Sequence, residues 1–188
     1  MVNDGSILGL ALFLIIWLLP IFSREFRFGG RVLLAYWFVI VLHQIVVFTT
    51  AFGFVIKGAD KDATAFHQKG VLWVQTGDFV FTSGAKFYSS MLGVAYWLFG
   101  SSHLLGMQLS VLMFAISCII LVKILRLLEL SYYKAPALLV FGALPSMVIF
   151  GSVTLRESYQ SLFFMLAVYF GLKMHFKNDE HVVQTVFV

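Results

Sequence analysis

Asp60 and Asp62 stand two residues apart in the stretch Lys57-Gly-Ala-Asp60-Lys-Asp62-Ala-Thr-Ala-Phe66-His67, just past a long apolar run. The whole chain holds only 9 acidic residues. Carboxylates beside a bilayer are costly to desolvate, so solvation, pairing or function must account for them. A second charged pair, Arg156-Glu157, follows the run Pro145-Ser146-Met-Val-Ile-Phe-Gly151-Ser152-Val-Thr-Leu. Side chains of these types suit group transfer. An aspartate can take the proton of an acceptor hydroxyl. A second carboxylate can orient the first, or raise its pKa by like-charge repulsion. An arginine can grip a phosphate with its bidentate fork. The plainer alternative stays open: charges that flank apolar spans can simply mark their ends.

Composition sets the class of protein around these residues. The chain of 188 residues is 61% hydrophobic and 12% charged. Soluble domains carry about 25% charged residues, so this chain is expected in a membrane. Its formal charge of +4 is scattered among apolar runs. That pattern fits membrane edges and excludes a basic nucleic-acid stripe. The only cysteine, Cys118, lies inside an apolar run. It excludes a disulfide framework and a zinc site built mainly of thiolates, and suits a small core residue. The first apolar run, 7–22, lacks a preceding Lys or Arg and a small-residue cleavage site. Its positive charges follow, at Arg24, Arg27 and Arg31. A retained span is expected there, not a signal peptide.

A spanning helix needs about 20 apolar residues. Five segments approach this: 7–22, 32–56, 104–122, 135–155 and 158–176, the last weakened by Lys173. The expected fold is all-α, a polytopic membrane bundle forming a single transmembrane domain, with a polar tail at 177–188. Arg24, Arg27 and Arg31 lie between the first two spans, Lys123, Arg126 and Lys134 between the third and fourth, and Lys173 and Lys177 after the fifth. By the positive-inside rule these places are cytoplasmic. The N-terminus, the loop 57–103 and the turn near 152–157 then fall outside, and the C-terminus inside. That outer loop carries its own lysines, Lys57, Lys61, Lys69 and Lys86, but spread thinly. Within it, 88–100 is too short to cross. Its Tyr88, Tyr96 and Trp97 suit a helix lying in the interface, and 66–74 suits a second.

Other polar residues read as packing features. His43 and Gln44 sit mid-span, where polar side chains usually face the bundle and hydrogen-bond across helices. Ser102, Gly106 and Ser110 recur every fourth residue, a spacing that lets another helix come close. His67 and His103 near the outer edge are expected to be hydrated, and no metal-ligand spacing accompanies them.

Three runs together carry a family resemblance. They are Asp62-Ala-Thr-Ala-Phe66-His67-Gln-Lys-Gly70, then Gly84-Ala-Lys-Phe-Tyr88-Ser-Ser-Met-Leu-Gly-Val-Ala-Tyr96-Trp-Leu-Phe-Gly100-Ser-Ser, then Leu-Pro145-Ser146…Ser152-Val-Thr-Leu-Arg156-Glu157. Over residues 32–176 the chain resembles the N-terminal half of the GT-C glycosyltransferases. These multi-spanning enzymes include dolichyl-phosphate-mannose protein mannosyltransferases and bacterial polysaccharide and lipid-sugar transferases. The resemblance implies transfer of a sugar from a polyprenyl-phosphate donor to an acceptor on the outer face. It implies Asp62 as the catalytic loop aspartate, with Phe66 as its following aromatic and Asp60 as the fallback. Glu157 matches the later acidic residue and Arg156 its basic neighbour on the donor phosphate, with His67 close by in the same run. No cofactor is expected, although the chemistry leaves room for a divalent metal. Expected partners are the lipid-linked donor, membrane lipid and other membrane subunits, with no nucleic acid. The chain departs from the family in lacking prolines around Phe87-Tyr88, in carrying the extra span 7–22, and in its shortness. The expectation is therefore an N-terminal part of such an enzyme. The alternative is a non-catalytic small subunit or truncated homologue packing within a larger membrane complex.

Overall fold

A computed structural model of the chain describes the backbone of residues 4–26, 30–54, 60–77 and 85–186. The side chains of Asp60, of Ala85 and of 177–186 lie outside the described residues, as do Arg27 and Lys57 entirely. Among the described residues every regular element is a helix. They run α1 Asp4–Phe22, α2 Gly30–Ala51, α3 Asp60–Thr76, α4 Ala85–Phe99, α5 His103–Leu127, α6 Lys134–Ala143, α7 Pro145–Ser152 and α8 Glu157–Val186, with a 3₁₀ turn at Ser131–Tyr133.

Three helices, α1, α2 and α5, are long and apolar enough to cross a membrane. The segment 135–155 forms two helices rather than one, α6 and α7, bent by 66°. Pro145 causes the break. It has no N–H for the ladder and forces Leu144 out of helical geometry, to φ −58° and ψ 129°. Taken together, α6 and α7 are a candidate fourth span. The fifth expected span is also a helix, α8, and it continues through the polar tail to Val186. It is not among the helices apolar enough to cross.

The centre of the bundle is α5, which packs against α1, α2, α6, α7 and α8. Its Val111, Phe114, Ala115, Cys118 and Val122 interlock with Tyr36, Val39, Ile40 and Val47 of α2. Pro20 lies inside α1, which ends at Phe22, where the first apolar run ends. Pro20 deprives the Ile16 carbonyl of its usual donor, because the N–H four residues on is missing. Tyr36 of α2 donates its hydroxyl to that same oxygen at 2.9 Å, in a buried position. In an apolar surround a freed backbone carbonyl must find such a partner. The small residues of α1 work by close approach: a Cβ on Gly5 would strike the Gly100 carbonyl oxygen, and Ser6 bonds Ser102 at 3.0 Å. Ser102 thus does seat a neighbouring helix.

Mid-bundle, Gln44 and Gln108 form a reciprocal amide pair between α2 and α5, with distances of 3.0 and 2.8 Å. His43 is fully buried, bonds the Val39 carbonyl through Nδ1, and stacks on Phe114 at 4.0 Å between ring centres.

The candidate functional site

The loop between α2 and α5 holds two helices, α3 and α4, packed against each other. Trp97 is exposed, as an interfacial ring would be, but Tyr88 and Tyr96 are buried. Both tyrosines face the neighbouring helices because α4 is amphipathic, and its inward side must cover α3 and the mouth of the bundle. Tyr88 lies edge-on between Phe66 of α3 and Tyr159 of α8, at 5.0 and 5.1 Å between ring centres. Tyr96 bonds His67 of α3 through its hydroxyl at 2.7 Å.

This aromatic set ties α3 to the turn between α7 and α8. Val153 and Leu155 of the turn are buried, and Ala63 and Phe66 of α3 pack on them. The two charged segments singled out in the sequence therefore meet at one end of the bundle. Asp62 flanks Ala63 on one side, and Arg156-Glu157 follow Leu155 on the other. Asp62, Arg156 and Glu157 are all exposed. Among the described residues no ion pair joins them; the one ion pair is Arg126–Glu25, elsewhere. Asp60 opens α3, but its side chain is outside the described residues. Asp62 belongs to the first turn of α3 and Glu157 to that of α8. Carboxylates are favoured there by the helix dipole, at about 0.3–1 kcal/mol each. This is a local reason for these acids that needs no chemistry.

A cavity of about 240 Å³ opens between these segments. Thr50, Thr64, Thr154 and His103 are polar residues of its lining, and Met107 and Val153 are apolar ones. The Thr50 hydroxyl is buried there without a protein partner. Ligand pockets for drug-sized molecules measure roughly 300–1,000 Å³, so this cavity suits one small hydroxylated group. Asp62 is not in the lining, though its neighbours Ala63 and Thr64 are. An open cleft of about 630 Å³ adjoins it, lined by His67, Gln68, Lys69 and Gln75 among others, and His103 borders both.

His67 departs from expectation. His103 is exposed, but His67 is half-buried rather than simply hydrated, and the two rings stack at 3.5 Å between centres. Burial first, and the neighbouring His103 second, push the His67 pKa down to about 4. A histidine held neutral in the fold but free to charge when unfolded opposes folding in acid. Its folded pKa lies below the unfolded value near 6.5. The penalty is therefore absent above that value and grows as pH falls from about 6.5 to about 4. Thermal unfolding in detergent should show the wild type losing more stability between pH 7 and pH 5 than His67→Gln (pH values bracketing about 6.5). Parallel losses would refute the assignment.

Sequence reasoning missed several residues here. Thr64 and Thr154 lie inside the runs that carry the resemblance but were not singled out, Thr50 lies outside them, and nothing in their spacing links α2, α3 and the α7–α8 turn. Tyr159 was likewise invisible, because its contact with Tyr88 spans 71 residues, the difference of their numbers. Gly106 was legible as a packing residue. Its role is specific: a Cβ there would stand 2.6 Å from the Tyr96 hydroxyl oxygen and 2.9 Å from Thr154 Oγ1. Among the described residues no three His, Cys, Asp or Glu side chains gather as metal ligands would. The chain matches no protein-family model, no curated protein and no solved structure.

Proposed function

We propose that the chain is a GT-C-like membrane glycosyltransferase, or the N-terminal part of one, moving a sugar from a polyprenyl-phosphate donor to an acceptor at the outer face. The packing of Ala63 and Phe66 on Val153 and Leu155 is the observation that supports it. That contact brings the turn that carries Asp62 and the turn that carries Arg156-Glu157 together beside one cavity, which Ala63, Thr64, Val153 and Thr154 help to line. In this reading Asp62 takes the proton of the acceptor hydroxyl. The acceptor oxygen then bonds to the sugar's anomeric carbon as the bond from that carbon to the phosphate oxygen breaks. Arg156 holds the departing phosphate, Glu157 orients Asp62 or the acceptor, and His67 lines the approach. Asp60 is the fallback base. A divalent metal remains compatible with exposed carboxylates in these turns.

The matching topology has α1, α2, α5, the α6–α7 pair and α8 as five spans, and α3 and α4 along the outer interface. The N-terminus is then outside and the C-terminus cytoplasmic. Full chain reconstituted in liposomes should transfer labelled sugar from a polyprenyl-phosphate donor above the rate of protein-free vesicles. Label retained on the donor at the protein-free rate would overturn the proposal.

One observation favours a second reading, a non-catalytic subunit. Phe163, Phe164, Phe170 and Met174 of α8 are all exposed, and a neighbouring subunit's helix would cover them. Purification in mild detergent separates the two. A stoichiometric complex with unrelated subunits and no transfer activity supports the subunit.

A further inference from the structure

A separate groove lies at the far end of α5. That helix has 25 residues, so at 1.5 Å per residue its ends are about 37 Å apart. His103 marks the candidate site at one end. At the other, α5 and the chain after α1 enclose an open groove of about 480 Å³. Arg24, Lys123 and Arg126 line its head, and Leu19 and Ile119 its lower wall. Glu25 is the one acid in the lining. It bonds Arg126 at 2.8 Å, with its own side chain 10% exposed and that of Arg126 63% exposed. The acid is thus tucked beneath the guanidinium and steadies it, while the rest of the fork faces outward. Three basic groups against one acid leave the head of the groove positive. The wall beneath is continuous with the apolar faces of two candidate spans, α1 and α5.

We infer that this groove binds the headgroup of an anionic phospholipid, its phosphate held by Arg24, Lys123 and Arg126 and its acyl chains lying along Leu19 and Ile119. Charge complementarity selects the headgroup, since basic clusters at helix ends draw anionic lipids. The apolar wall selects a lipid over a soluble anion. The inference requires α1 and α5 to span a membrane but does not depend on the transferase reading.

The test titrates purified full chain in mild detergent with a short-chain phosphatidylglycerol, and with the matching phosphatidylcholine. Phosphatidylglycerol should bind more tightly. Lys123→Gln should weaken it about fivefold, the effect of one basic residue near an anionic surface. Arg24→Gln, at an exposed position, should repeat that loss without touching helix packing. Glu25→Gln should instead tighten binding, because it removes the opposing charge. Equal affinity for the two lipids would overturn the inference, as would Lys123→Gln and Glu25→Gln shifting affinity in the same direction. Inorganic phosphate should displace no more lipid than sodium chloride of equal ionic strength. Greater displacement would assign the groove to a soluble anion and overturn the lipid.

Discussion

Asp62→Asn is expected to slow sugar transfer from a polyprenyl-phosphate donor by about a hundredfold to ten-thousandfold, the usual contribution of a positioned general base. The substitution keeps the size of the side chain and removes its basicity. Its structural cost is small. Asp62 is exposed and makes no ion pair among the described residues. All it loses in the fold is its interaction with the α3 dipole, about 0.3–1 kcal/mol. A loss of rate far above what that destabilisation explains therefore reports chemistry. Glu157→Gln should slow transfer less, because an orienting carboxylate acts through another group. Asp60→Asn should leave the rate near wild type. Equal rates for wild type and Asp62→Asn would refute the role given to Asp62. A large loss in Asp60→Asn alone would transfer that role to Asp60.

How much of this could be read from the sequence depended on whether the signal was local. The apolar runs 7–22, 32–56 and 104–122 became α1, α2 and α5 because length and hydropathy are properties of a segment alone. The two helices between α2 and α5 were also legible as helices, the second from an aromatic-rich apolar run too short to cross a membrane. The break at Pro145 was visible as a proline, but a run of apolar residues on both sides hid it. The cavity was not legible at all. Thr50, Thr64 and Thr154 come from three segments, and only the tertiary packing of Phe66 on Leu155 collects them. Likewise Tyr88 and Tyr96 advertised an interface by type, whereas their burial depends on which face of α4 meets α3. His67 and His103 lie 36 positions apart by their numbers, and neither residue's neighbours hint that the rings stack.

The buried amide pair gives the sharpest test of the bundle itself. Gln44 was recognisable as a mid-span polar residue seeking a partner, but Gln108 was not recognisable as that partner. The two bond reciprocally at 3.0 and 2.8 Å, each almost fully buried. Replacing one with leucine keeps similar bulk and orphans both hydrogen-bonding atoms of the other. Gln44→Leu and Gln108→Leu should each lower stability by about 1–3 kcal/mol, the desolvation cost of a buried polar group left unmade. The double replacement leaves no polar atom to satisfy and restores apolar contact between α2 and α5. It should therefore be more stable than either single variant. Unfolding of all four proteins in detergent gives the coupling directly. Simple addition of the two single losses would mean that the amides act independently, and the pairing of α2 with α5 through them would be wrong. A double variant of near wild-type stability would instead show that the pair fixes the register of these two helices more than it adds to their net attraction, because apolar packing alone would then hold them together.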